Sequence, residues 1–158
     1  MKPGRPLHLV KRFMGSLGAR RPSPEDQALI AGILGNGEAR LFWAQPVIDQ
    51  AHALDTARAV LDRGRPDLAA AALLHDVGKR HASLGVVGRS IASALSLIRL
   101  PVRGRYARYL DHAEAGARDL ARAGSAPLVV EFARSHHEDR PPSFDATDWA
   151  LLVAADNE

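Results

Sequence analysis

The stretch of residues 68–79, Leu-Ala-Ala-Ala-Ala-Leu-Leu-His-Asp-Val-Gly-Lys, constrains this chain more than any other. Its first seven residues are all apolar helix formers, which predicts a helix with no face left for water and therefore a buried one. His75 and Asp76 follow at the end of this helix, just before Gly78. A buried, ionised carboxylate needs a partner, and the preceding turn holds no Lys or Arg. The pattern therefore predicts a metal ion as the partner of Asp76.

The composition favours an all-helical fold. Aromatic residues make up only 5% of the 158 residues, strand formers are sparse, and Ala, Leu and Arg are abundant, as is typical of helices. A hydrophobic content of 46% and a charged content of 25% are ordinary for a globular protein of this length. We therefore predict an all-α fold, a single helical bundle of about seven helices spanning residues 23–158.

The sequence also excludes several classes of site. It has no cysteine, which excludes disulfides, thiolate metal sites and cysteine nucleophiles. Its longest apolar runs are far too short to cross a bilayer, and no apolar core of a signal peptide is visible near the N-terminus. We expect no transmembrane segment and a cytoplasmic location.

Residues 1–22 differ from the rest in charge. They contain six basic residues and no acidic one, so the remainder has more acidic than basic residues and is not a basic nucleic-acid module. We predict a basic N-terminal arm that packs on the domain or is partly ordered. The alternative is that this arm contacts acidic surfaces, anionic lipid or a polyanionic substrate.

Start and stop signals divide the chain into helices. Ser23 as the cap and Pro24 in the first turn predict one helix start, and the Gly-Asn-Gly sequence at 35–37 predicts the end of that helix. Asp111 and Glu114 have the spacing of a capping box, which places His112 in the first turn of a helix. Further helices are predicted at about 46–63, 66–77, 90–100, 127–137 and 145–156.

Several polar residues lie at the ends or edges of these helices. A lone histidine on an apolar face is more often a hydrogen-bonded core residue than a ligand. Together, however, these residues would bring imidazoles and carboxylates from separate helices into one place, as helical bundles do at metal sites. Nitrogen and oxygen ligands without sulfur suit Fe, Mn, Zn, Co or Ni. The candidates are His52, His75, Asp76, His112, His136 and Asp156.

The order His, His-Asp, His, His, Asp, with the pair inside His75-Asp-Val-Gly-Lys79, resembles the HD superfamily of metal-dependent phosphohydrolases. The similarity covers residues 46–158 and is closest to the two-metal branch with a His-Asp-Ile-Gly-Lys signature, which includes the HD-GYP proteins. These carry a Gly-Tyr-Pro segment after a His-His-Glu sequence. Here His-His-Glu is followed by Asp-Arg-Pro-Pro, which argues against cyclic di-GMP as the substrate.

The resemblance implies roles for individual residues. One metal would be held by His52, His75, Asp76 and Asp156, and Asp76 would bridge to a second metal held by His112 and His136. His137 matches the second histidine of a pair in some members and would bind the metal, hydrogen-bond or do neither. Lys79 would face the substrate phosphate. In addition, Arg103 and Arg105 belong to a basic cluster that could guide an anionic ligand.

The resemblance implies a phosphohydrolase or phosphodiesterase that acts on a nucleotide or nucleotide-like phosphoester, with Asp76 and Lys79 as catalytic residues. Two divalent ions about 3.5–4 Å apart would activate water and stabilise the phosphoryl oxygens. The alternatives are a di-iron oxygenase that uses the same ligands and a non-catalytic metal-containing binding module. Lys79 favours phosphate chemistry over oxygen chemistry.

Overall fold

The computed structural model describes residues 20–82, 104 and 111–158. Within them the chain forms α-helices and 3₁₀ segments and no β-strand, so the all-α prediction is confirmed. The α-helices are α1 (Pro24–Ile33), α2 (Asn36–Trp43), α3 (Val47–Asp62), α4 (Ala69–Leu74), α5 (His112–Ala123), α6 (Pro127–Ser135) and α7 (Ala146–Asp156), and the 3₁₀ segments are Pro66–Leu68 and Val77–Ala82.

Some predictions fall outside this part of the chain. Most of the basic arm, the helix predicted at 90–100, and both Arg103 and Arg105 lie outside the described residues. Among the residues that are described, no helix has both the length and the apolar character that a membrane crossing requires.

Helix α1 begins as predicted, but the segment after it differs. The Ser23 hydroxyl accepts a hydrogen bond from the backbone N–H of Asp26, whose carboxylate accepts one from the N–H of Ser23. The Gly-Asn-Gly sequence follows the end of α1, yet it also begins α2, a helix that the sequence did not predict. Glu38 caps α2 by accepting a hydrogen bond from the Gly35 N–H at 3.1 Å.

Helix α4 is the centre of the bundle. It packs against α2, α3, α6 and α7, and five of its six residues are buried. The apolar core around it is built from Leu, Val, Ala and Phe side chains, which include Phe42, Leu54, Val60, Leu73, Leu74, Phe132 and Leu152. The buried helix inferred from residues 68–74 is therefore present, and it ends where the His-Asp pair begins.

Helices α5 and α7 begin at the predicted positions. Asp145 caps α7 by accepting hydrogen bonds from the N–H groups of Thr147 and Asp148. The capping box predicted for α5 is wrong, because Asp111 makes no side-chain cap hydrogen bond. Glu114 instead accepts a hydrogen bond from Arg134 on α6 at 2.9 Å, which links the two helices rather than closing the first turn.

Candidate metal centre

The candidate ligands come from the ends of helices and from one helix interior. His75 and His136 are the residues that follow α4 and α6, and His112 and Asp156 are the first residue of α5 and the last of α7. His52 lies within α3. Helix termini place side chains beyond the apolar core without breaking the helix, so this arrangement gathers polar groups at one end of the bundle core.

One group of donors, the first subsite, consists of His52, His75 and Asp76, whose donor atoms lie within 4.8 Å of one another. The Asp156 carboxylate adjoins this group. Its Oδ1 is 2.8 Å from Nε2 of His52 and 3.2 Å from Nε2 of His75. The four residues that the resemblance assigned to one metal thus lie together.

A second group, the second subsite, consists of Asp76, His112, His136 and His137. Oδ1 of Asp76 lies 3.3 Å from Nε2 of His112 and 3.4 Å from Nε2 of His136, and Nε2 of His137 lies 3.1 Å from that of His112. The other carboxylate oxygen, Oδ2, lies 3.4 Å from Nε2 of His75 in the first subsite. Asp76 therefore belongs to both groups and turns one oxygen towards each.

A family model for the HD domain matches residues 50–156, which include every candidate ligand and most of the chain. The chain belongs to the HD domain family. Most members of this family are metal-dependent phosphohydrolases. No curated protein and no solved structure matched the chain.

Two buried histidines of this HD domain are oriented as metal ligands usually are. Nδ1 of His75 donates to the carbonyl of Ala72 at 2.8 Å, and Nδ1 of His136 donates to the carbonyl of Ala133 at 3.0 Å. Both Nε2 atoms are buried and make no well-aligned hydrogen bond with the described residues, and carboxylate oxygens lie 3.2 Å from that of His75 and 3.4 Å from that of His136. A backbone carbonyl that fixes the proton on one ring nitrogen leaves the other as a metal donor.

The distances between the donor atoms also fit binding to a common metal ion. Donor atoms about 2.1 Å from a common ion lie about 3.0–3.4 Å apart in octahedral or tetrahedral geometry. The separations from Asp76 to the histidines of the second subsite are 3.3 and 3.4 Å, and the one between His75 and Asp156 is 3.2 Å. The residues present therefore fit divalent metal ions.

The electrostatics of the first subsite favour a cation. Burial by itself would raise the pKa of the Asp76 carboxyl, but the positive charges of Lys79 and His75 hold it well below its usual range. Burial likewise opposes ionisation of Asp156, yet His75 and His52 hold its pKa low. In turn, the two carboxylates overcome the burial of His75 and raise its pKa to about 10. The negative charges that keep the His75 imidazole protonated would equally attract a metal ion.

In the second subsite, the environment of His136 and His137 favours their neutral form. Desolvation is the main cause of the lowered pKa of His136, and the neighbouring His75 adds to it. Desolvation followed by the proximity of His136 and His112 lowers the pKa of His137. Neutral imidazole is the form that binds metal.

Lys79 occupies a position that the sequence analysis did not anticipate. Its ammonium group is buried and forms an ion pair with Oδ2 of Asp76. The turn before Asp76 holds no basic residue, and its charge partner lies three residues after it in the sequence. The expectation that Lys79 faces a substrate phosphate stays a prediction.

We expect metal binding to stabilise the protein against heat. Metal at about 100 times its Kd stabilises the native state by about 2.7 kcal/mol, which corresponds to about 5–10 °C for a domain of this size. Differential scanning fluorimetry with and without chelator would measure the shift. The exposed Asp55 lies outside both subsites, so Asp55→Ala should show the same shift. A melting temperature that does not respond to complete metal removal would contradict this assignment.

Proposed function

We propose that this HD domain is a phosphohydrolase of the His-Asp-Ile-Gly-Lys branch that acts in the cytoplasm on a nucleotide or nucleotide-like phosphoester. The observation that carries the proposal is the position of Asp76, which is shared by two groups of candidate metal ligands. A shared carboxylate suits a pair of ions, and two-ion sites are widespread among enzymes that cleave phosphoesters.

In this proposal each residue of the site has a chemical task. When bound, the two ions supply an activated water and positive charge for the phosphoryl oxygens. Asp76 links the two subsites through its two oxygens, and the Ala72 and Ala133 carbonyls keep His75 and His136 in the metal-binding tautomer. Lys79 offers a fixed positive charge to the phosphate. The proposal uses no covalent intermediate: the chain has no cysteine, and among the described residues the two groups of candidate ligands contain no serine.

The test combines metal analysis with isotope labelling. Protein purified without chelator should contain up to two transition-metal ions per chain and should hydrolyse members of a panel of mononucleotides, dinucleotides and cyclic dinucleotides. Under single turnover in ¹⁸O-labelled water, the phosphate product should carry the label at once. Unlabelled phosphate would point to an enzyme-derived oxygen, and bound metal without turnover would favour a binding module. Oxygen consumption by the iron-loaded protein without phosphoester cleavage would favour an oxygenase.

We expect His112→Ala to lower the metal content from two ions to one. His112 donates to the second subsite alone, so the first subsite should keep its affinity. Inductively coupled plasma mass spectrometry would count the ions, with Asp55→Ala as the control variant. Wild-type content and affinity in His112→Ala would contradict the second subsite.

We expect Lys79→Met to keep both metal ions and to lower kcat about 10²-fold, the usual cost of losing one group that stabilises developing charge. Methionine preserves most of the buried volume of the lysine and removes only its charge. Steady-state kinetics alongside metal analysis would separate catalysis from metal binding. An unchanged kcat would show that Lys79 serves only as a counter-charge for Asp76.

A further inference from the structure

The segment Val77–Ala82 approaches helix α5 more closely than side chains would allow. A Cβ atom built on Gly78 would lie 1.9 Å from the carbonyl oxygen of His112 and 2.7 Å from the backbone nitrogen of Gly116. A Cβ on Gly116 would lie 3.0 Å from the nitrogen of Gly78. Neither glycine has a positive φ, so the contact requires the space that glycine leaves and not its backbone freedom.

This contact joins two candidate metal ligands. Gly78 follows Asp76 by two residues, and the atom it approaches most closely belongs to His112 itself. Any change in this contact therefore moves the backbone of one ligand relative to the other. The remaining ligands of the first subsite take no part in it: they are His52 in α3, His75 directly after α4, and Asp156 at the end of α7.

A second attachment holds the same segment on α5. The Asp119 carboxylate accepts hydrogen bonds from Arg80 at 2.7 Å and from His81 at 2.6 Å. Asp119 lies two turns after His112 on α5, so these hydrogen bonds hold the far end of the segment against the helix. This attachment is partly exposed. It does not set the distance between the two backbones near His112, which depends on the glycine contact.

We propose that Gly78 is a positioning residue that sets the separation between the shared ligand Asp76 and the second-subsite ligand His112. The inference rests on the proposed two-metal function. Because ordinary van der Waals contact begins near 3.4 Å, a methyl group at residue 78 would force the two backbones about 1.5 Å apart. Metal–ligand distances tolerate changes of only about 0.2 Å. The second subsite should therefore bind its ion more weakly while the first keeps most of its affinity.

The experiment is titration of metal-free protein with Mn²⁺ or Co²⁺ by isothermal calorimetry, with circular dichroism to check folding. We expect Gly78→Ala to weaken the second subsite by about 10- to 100-fold, the range found when groups that position metal ligands are lost. Gly116→Ala should weaken it less, since its closest contact is 3.0 Å. Gly32→Ala is the matched control, because a Cβ on that helical glycine meets nothing within 4 Å.

Equal weakening of both subsites in Gly78→Ala, or none, would overturn the inference. If Gly78→Ala does not fold, the same criterion is applied to Gly116→Ala, which should weaken metal binding at the second subsite and not at the first. A crystal structure of the folded, metal-free variant should also show Asp76 Oδ1 and His112 Nε2 farther apart than 3.3 Å, and an unchanged distance would count against the inference. Wild-type protein that binds two ions without cleaving any phosphoester would refute only the proposed function.

Discussion

Asp76→Asn should abolish both metal binding and hydrolysis. The change removes the negative charge from Asp76, which alone among the described residues belongs to both groups of candidate ligands. Loss of one charge-stabilising group lowers kcat about 10²–10³-fold. Because Asp76→Asn would affect two ions, we expect kcat to fall by at least about 10³-fold. Metal analysis and single-turnover hydrolysis would measure both effects in the same preparation.

A second effect of Asp76→Asn must be separated from the first. Lys79 is buried and ion-paired with Asp76, and removal of one partner from a buried ion pair costs about 3–5 kcal/mol of stability. The double variant Asp76→Asn/Lys79→Met removes both charges and should recover most of this loss without recovering metal or activity. The exposed Asp55 supplies a control, since Asp55→Asn should retain wild-type stability, metal content and activity. Metal content near two ions per chain in Asp76→Asn would refute the shared-ligand assignment.

Local sequence signals predicted much of the fold. The apolar run before His75 could form only a buried helix, and Ser23 and Asp145 satisfy free N–H groups at helix starts through their own side chains. The candidate ligands were grouped from their positions at helix ends and from a family resemblance, and the structure places their donor atoms close together. These features depend on residues close in sequence or on a recurring pattern.

The features that were missed depend on contacts between distant residues. Helix α2 begins in a Gly-Asn-Gly sequence of poor helix formers, yet a Cβ on Gly37 would lie 2.9 Å from the Ala123 carbonyl, so that glycine allows α2 to pack against the end of α5. Glu114 has the spacing of a capping residue but pairs with Arg134 on another helix. Propensity and spacing cannot reveal which neighbour a side chain or a glycine will meet after the chain folds.

Metal affinity at the first subsite should rise steeply with pH. In the metal-free protein the Asp76 and Asp156 carboxylates outweigh burial and raise the pKa of His75 to about 10, so its imidazole is protonated throughout pH 6–8. A metal ion must displace that proton, and each displaced proton changes the affinity about tenfold per pH unit. We therefore expect affinity to increase about 100-fold from pH 6 to pH 8. Asp76 and Asp156 add no such dependence, because their lowered pKa values leave them ionised throughout this range.

The His112→Ala variant isolates this effect, since it keeps only the first subsite. Calorimetry in buffers of different ionisation enthalpy should detect at least one proton released per ion bound.

In the metal-free protein, the His75 imidazole makes stability fall as pH rises, whereas metal affinity increases. A raised folded-state pKa contributes stability that is complete below the ordinary histidine value of about 6.5 and is lost as pH rises towards 10. His75→Gln should remove that alkaline loss of stability. Metal affinity that stays flat between pH 6 and pH 8 would mean that His75 holds no proton for the metal to displace.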